Sequence, residues 1–219
     1  MSYGPGLHPR ARVFDDMPPG LFDGRVLHDT DPIPFRGMPK IARLARECVV
    51  TEKIDGTNAS VYVPEDAGPL LFGSRTRWIT PESDNHGFAR WGREHESALR
   101  GLGPGHHFGE WWGLGINRGY GLDHKRFSLF NVGRWTGLLD GSPAPHCCHV
   151  VPVLARGIFG NPGWAVGDIA GIWDQALDTL QITGSVAAPG FMRPEGVVVW
   201  HEAARIYFKK TLENDEGKG

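Results

Sequence analysis

The sequence predicts an α+β fold built on antiparallel sheets, and three observations carry that expectation. The 31 Gly and 17 Pro among 219 residues cut the chain into short runs, which favours turns and short strands over a helical bundle. Apolar runs of strand length recur along the chain. Only two stretches show the three- and four-residue spacing of an amphipathic helix. The length suits one well-formed domain and is too short for three. With no internal repeat and no linker in view, residues 1–219 read as a single domain.

Residues 1–39 are expected to be irregular, because Pro18, Pro19, Pro32, Pro34 and Pro39 break any regular element. The segment 47–53, Glu-Cys-Val-Val-Thr-Glu-Lys, reads as a strand. After Ile-Asp-Gly-Thr-Asn, a second strand is expected over 59–63 and a third over 70–78. Gly87 to Leu102 reads as a helix, with Phe88, Trp91, His95 and Leu99 on one face and charges on the other. Segments 108–112 and 127–132 are short strand candidates. A second helix is expected over 168–180, with Ile169, Ile172, Trp173, Ala176, Leu177 and Leu180 as its apolar stripe. Two strands, 196–201 and 205–210, close the chain before a polar tail.

Composition excludes some classes. With 40% hydrophobic and 22% charged residues, the chain is an ordinary globular protein rather than a disordered one. No signal peptide or run of about 18 apolar residues is present, so a cytoplasmic protein is expected. Three Cys cannot build a disulfide framework. His146-Cys-Cys-His149 offers four consecutive candidate ligands, which cannot easily wrap one tetrahedral ion; the run reads as a loop with buried thiols. The net charge of −2 shows no global basic surplus, although a local basic face is enough to hold nucleic acid. Arg36, Lys40, Arg43 and Arg46 could form such a face.

The strongest local signal is Lys53-Ile-Asp55-Gly56-Thr-Asn58. A lysine at the end of an apolar strand, followed by a glycine turn, is presented at a fixed point. An amine attacks only when deprotonated, and free lysine titrates near ~10.4. Lowering that by about 3 units costs roughly 4 kcal/mol, which burial, other cations or a metal must supply.

These residues resemble the signature that opens the covalent nucleotidyltransferase superfamily of polynucleotide ligases and capping enzymes, and later motifs follow in the family's order. Gly73-Ser74-Arg75 resembles the motif whose arginine meets the nucleotide sugar and phosphate. Phe108-Gly109-Glu110-Trp111 resembles the one whose glutamate binds the ribose. Phe127-Ser-Leu-Phe130-Asn131-Val resembles the one whose aromatic ring stacks on the purine, with Asn131 where the family has aspartate. Glu195-Gly196-Val-Val-Val resembles the metal-binding motif, and Phe208-Lys209-Lys210 the motif whose lysines hold the triphosphate. The Thr-Asn extension after the lysine is similar to that of RNA ligases. Segment 39–44 is similar to one that precedes the nucleophile in bacterial and phage members.

The resemblance implies an adenylyltransferase (ATP-grasp-like ligase catalytic) fold, two antiparallel sheets with flanking helices enclosing a nucleotide groove. It implies an ATP-dependent RNA ligase that carries AMP on Lys53 and seals 5′-phosphate to 3′-hydroxyl ends. Glu52, Asp55, Gly56, Arg75, Glu110, Phe130 and Lys209 would surround the nucleotide. Glu195 would serve Mg²⁺ or Mn²⁺, and Asn58, Arg36 and Lys40 the RNA. Alternation along a strand puts Lys209 on the active face if Ile206 and Phe208 are in the core, with Lys210 as the second choice. The implied partner is RNA, nicked duplexes and hybrids included. No accessory domain is expected after the fifth motif, so an accessory protein could help to grip the substrate. The alternatives are a DNA or hybrid nick ligase, a GTP-using capping-type enzyme, and a nucleotide-binding module that no longer ligates.

Overall fold

The computed structural model describes residues 37–135, 143–159 and 171–213. The chain divides into two compact units, residues 1–42 and 43–219. Of the first unit only 37–42 are described, with no helix or strand among them; the expectation for 1–36 lies outside the described residues.

In the second unit, β1 (Glu47–Lys53) is a central strand buried over its middle five residues. It is flanked by β8 (Val153–Ile158) and β9 (Gly196–His201), and β10 (Ile206–Thr211) forms the edge. The order is β10-β9-β1-β8, and every pairing is antiparallel. Alternation divides β1 cleanly. Cys48 and Val50 pack with Val197 and Val199 against Ala176, Leu177 and Leu180 of α4 (Ile172–Thr183). Val49, Thr51 and Lys53 therefore point the other way, toward the second sheet.

The second sheet has six strands in the order β4-β3-β2-β5-β6-β7: β2 (Thr57–Val63), β3 (Leu71–Gly73), β4 (Trp78–Ile79), β5 (Gly105–Gly113), β6 (Lys125–Leu129) and β7 (Cys148–Val150). One face packs against α1 (Phe88–Glu94) and α2 (Glu96–Leu99), in a core that includes Val61, Phe72, Phe88, Leu99, Trp111 and Phe127. The other face meets the first sheet through Val49, Ile54, Trp112, Tyr120 and Val132, with Phe130 and Trp200 packed against them. Burying one such side chain contributes about 1.5–3 kcal/mol. Partly exposed ion pairs contribute about 1 kcal/mol at most. The apolar cluster between the sheets, not the ion pairs near it, holds them together.

Several expectations are corrected. The run 70–78 is a hairpin rather than one strand: the Ser74 N–H donates to the Arg77 carbonyl at 2.9 Å, closing a turn between β3 and β4. The helix expected over 87–102 is interrupted at His95 and ends in a short 3₁₀ turn, Arg100–Leu102, although Phe88 and Leu99 are buried as the stripe requires. The segment 127–132 is not all strand, because Val132 opens α3 (Val132–Trp135). Asn131 caps that helix: its Oδ1 accepts the Arg134 N–H at 3.1 Å. Asparagine and aspartate cap about equally well, so the local structure tolerates the amide. The second helix starts at Ile172 within the described residues; positions 168–170 lie outside them. Cys148 belongs to β7 instead of a loop, and β6–β7 is a parallel pair in an otherwise antiparallel sheet. The chain from Leu129 to Cys148, with α3 in it, makes the crossover that a parallel pair needs.

Candidate active site

The two sheets are joined directly. Lys53 ends β1, and after Ile54-Asp55-Gly56 the chain enters β2 of the other sheet. Gly56 is required by close approach. A Cβ there would lie 2.5 Å from the Trp111 carbonyl oxygen and 2.7 Å from the Trp112 Cβ. The Gly56 N–H donates to Glu110 Oε1 at 3.1 Å, fastening the turn to β5. On β2, Asn58 stands opposite Glu110 in register and so shares its face.

The Lys53 ammonium contacts Glu195 Oε1 at 2.5 Å. Glu195 directly precedes β9, in which Gly196 pairs with Lys53, and its carbonyl accepts the Leu212 N–H at 2.9 Å. Its second oxygen, Oε2, is buried and has no protein partner among the described residues. A hard, buried carboxylate oxygen left over from an ion pair fits a divalent cation. No group of three or more His, Cys, Asp or Glu among the described residues could hold one. Mg²⁺ suits that shortage, because it takes one or two carboxylates and completes its shell with water and substrate phosphates.

Asp55 is held from three sides. Its carboxylate accepts from Asn117 Nδ2 at 2.8 Å and Arg118 Nε at 3.0 Å, and its N–H donates to the Tyr120 hydroxyl at 2.8 Å. Arg118 also donates to the Arg193 carbonyl at 3.0 Å and reaches Glu213 at 3.4 Å. Sequence reasoning missed Asn117, Arg118 and Tyr120 as parts of the site. The signal was the glycine spacing in Gly115-Ile-Asn-Arg-Gly-Tyr-Gly121: Gly115, Asn117, Gly119, Tyr120 and Gly121 all have positive φ. Left-handed Asn and Tyr are uncommon, and such backbone persists where the surroundings over-determine it.

Glu110 is half-buried on the β5 face that it shares with Asn58. Burial, with the neighbouring Glu195 and Asp55 carboxylates, pushes its carboxyl up to about 7, against the pull of the Lys53 ammonium and the Gly56 N–H. A carboxyl raised in the folded state binds its proton more tightly there than in the unfolded chain. Its contribution to stability is fully present below the ordinary value of 4.5 and is lost as pH rises through about 7. Glu110→Gln mimics the protonated form. The variant is expected to match the wild type near pH 5 and to exceed it by about 2–3 kcal/mol near pH 8. Urea unfolding of both proteins at the two pH values checks this.

Glu52 takes a different position from the rest. It lies on the α4 side of β1 and is 1% exposed. Its oxygens are taken up by the Ser185 hydroxyl at 2.6 Å and the Val186 and Ala187 N–H groups at 2.9 and 2.8 Å. Burial raises its carboxyl and these hydrogen bonds pull it back. Its geometry is that of an anchor for the loop after α4.

Phe130 is half-buried on the groove side beside Trp112. Lys209 pairs with Val198, which stands opposite Thr51, so it shares the face of Lys53. Lys210 points to the α4 side, where its ammonium meets Asp174 Oδ1 at 2.8 Å. Arg75 is exposed on the β3–β4 turn. Lys40 is exposed within the first unit, and Arg36 lies outside the described residues.

The strand-end lysine meets its carboxylate where β1 of one sheet passes into β2 of the other. The RNA ligase family model matches residues 46–211, about three quarters of the chain. The chain belongs to the RNA ligase family. Among solved structures, this family member is similar to Naegleria gruberi RNA ligase. An apo variant of that protein gives a TM-score of 0.53 at 18% identity, covering 77% of this chain and 50% of that one. A variant with ATP and Mn gives 0.51 at 16% identity, covering 78% and 51%. A variant with AMP and Mn gives 0.50 at 18%, covering 77% and 50%. At these identities the likeness shows the fold: mixed α and β, with two sheets. The chain spans about half the length of the structures it matches. No curated protein matches it. Among the described residues, no helix is long and apolar enough to cross a membrane.

Proposed function

We propose that this chain is an ATP-dependent RNA ligase that forms a lysyl-AMP intermediate on Lys53 and joins 5′-phosphate to 3′-hydroxyl ends. The observation that carries the reading is the Lys53–Glu195 pair at the strand-end turn, in a chain of the RNA ligase family. Naegleria gruberi RNA ligase has been captured with ATP and Mn and with AMP and Mn, which supports the same cofactors here.

Chemically, the Lys53 nitrogen attacks the α-phosphorus of ATP. The ammonium first gives up one proton to free its lone pair; as the nitrogen–phosphorus bond forms, the bond to pyrophosphate breaks, pyrophosphate leaves with the bonding pair, and the nitrogen releases a second proton to solvent. Glu195, in contact with the ammonium, is the group that would accept the first of these protons. A divalent ion, when bound, would neutralise charge on the phosphate oxygens, and Glu195 is the residue that would hold it. Lys209, on the same face, adds a fixed positive charge toward the triphosphate. The Asp55 clasp and the Gly56–Glu110 hydrogen bond fix the turn that carries the nucleophile, and phosphoryl transfer depends chiefly on such positioning. In this reading Glu110 receives ribose hydroxyls and Phe130 covers a purine face. AMP then passes to an RNA 5′-phosphate, and a 3′-hydroxyl displaces it to close the strand. Asn58, opposite Glu110, is the candidate to orient that end.

The test is incubation with α-labelled ATP or GTP and Mg²⁺ after pyrophosphate has stripped any preloaded nucleotide, followed by denaturing electrophoresis. Label from ATP alone is expected, discharged by RNA with joined strands as product. Matched RNA and DNA nicks then assign the polynucleotide. Stripped protein that takes no label would reject the enzymatic reading.

A further inference from the structure

We propose that the face of the six-stranded sheet extending away from Glu110 is an aromatic platform for unpaired RNA bases, formed by Trp78, Tyr62, His106 and Phe108. The inference rests on the RNA ligase reading and specifies which part of the substrate the domain grips.

Strand register defines the platform. Asn58 and Glu110 form one cross-strand row on the groove-side face. Two residues further along each strand, Phe108 pairs with Ser60, Ser60 with Gly73 and Gly73 with Trp78, so these four share that face. Another step brings His106, Tyr62 and Leu71 into the third row. Successive rows are about 7 Å apart, and the rings therefore begin one row from the candidate RNA-end residue, Asn58.

The rings are neighbours; Trp78, His106 and Phe108 are exposed and Tyr62 is half-buried. Ring centroids lie 5.4 Å apart for His106 and Phe108, 4.9 Å for Tyr62 and His106, and 5.5 Å for Trp78 and His106. Trp78 and Phe108 are each 51% exposed. Trp78 is the only tryptophan among the described residues that is exposed; the others are buried or half-buried. Gly73 provides its floor, since a Cβ there would stand 3.5 Å from two indole ring carbons and 2.5 Å from the Ser60 hydroxyl. Packing on a bare glycine accounts for one side of the indole, as aromatic rings often cover strand glycines. It does not account for Phe108 and His106 continuing the surface across β5.

Chemistry selects the occupant. Every base has a π-face, and aromatic side chains on a sheet bind unstacked bases through it, whereas paired bases inside a duplex present no such face. Arg75 and Arg77, both exposed on the turn that leads into Trp78, supply positive charge for the connecting phosphates. Arg77 also donates to the Trp78 and Ser83 carbonyls at 3.3 and 3.0 Å, which holds that turn in place.

The experiment measures fluorescence anisotropy of a 5′-phosphorylated oligoadenylate, and of a blunt RNA duplex, against the wild type, Trp78→Leu, Trp78→Phe and Phe108→Leu. Leucine keeps the apolar cover and removes the ring; phenylalanine keeps a ring. Each leucine variant is expected to bind the single strand about tenfold more weakly, with Trp78→Phe close to the wild type. Duplex binding should not change, nor should covalent labelling of the Trp78 variants by ATP without RNA. If labelling is intact and Trp78→Leu binds the single strand as well as Trp78→Phe, the platform is overturned while the ligase reading stands. If no protein is labelled but the ring-dependent loss appears, the platform stands and the ligase reading falls.

Discussion

Lys53→Ala is expected to reduce covalent labelling by ATP to background, because no other lysine among the described residues ends a strand against a carboxylate. Glu195→Gln should lower the labelling rate by about a hundredfold or more. The amide keeps the shape but removes the partner of the lysine and the charge that suits a cation. The fold should survive both changes, since the pair is partly exposed and contributes about 1 kcal/mol at most. The two basic residues of β10 should then separate. Lys209→Ala, on the lysine's face, should cost roughly a hundredfold in labelling. Lys210→Ala should leave labelling within about threefold and lower stability slightly, through its partly exposed pair with Asp174. Quench-flow labelling of the four variants, with circular dichroism to confirm folding, checks the set. Equal losses at Lys209 and Lys210 would contradict the face assignment.

Glu52→Ala is expected to destabilise the fold by about 3 kcal/mol. The truncation leaves a buried serine hydroxyl and two amide N–H groups without their acceptor, and breaking a buried charged network costs about that much. For a chain of this size the midpoint of thermal unfolding should fall by roughly 6–12 °C. Calorimetry measures the shift. Labelling by ATP below the transition should persist, because Glu52 faces away from Lys53. A variant that keeps its melting temperature yet loses labelling would return Glu52 to the nucleotide.

Much of the fold was legible where local pattern and tertiary context agree. The strands 47–53 and 196–201 emerge with the bounds read from sequence, because both are apolar central strands closed by a turn. Val153–Ile158 was not legible as a strand, although it completes the first sheet. It follows Pro152, contains Arg156 and Gly157, and carries a bulge at Leu154, where its register to β1 slips by one residue, so neither alternation nor an apolar run announces it. The hairpin at 70–78 was hidden for the opposite reason: strand-forming residues flank Ser74–Arg77 closely enough to read as one run. In the site, the residues tied to the lysine motif by sequence order converge: Lys53, Asp55, Gly56, Asn58, Glu110 and Glu195. Glu52, expected beside the nucleotide, lies on the opposite face from its neighbour Lys53, as alternation along β1 dictates. The glycine spacing marked the loop of Arg118 but not its partners, because its contacts with Asp55, Arg193 and Glu213 join positions 63, 75 and 95 residues apart.

The short passage from β1 into β2 has a mechanical consequence. From Lys53 to Thr57 are four peptide steps, spanning about 14 Å at full stretch. Whatever breathing the two sheets undergo as a nucleotide enters or pyrophosphate leaves, they cannot part by more than that at this point. The passage is a tether, and Lys53 stands at it rather than at the far ends of the strands, so any movement between the sheets would shift it little relative to Gly56 and Glu110.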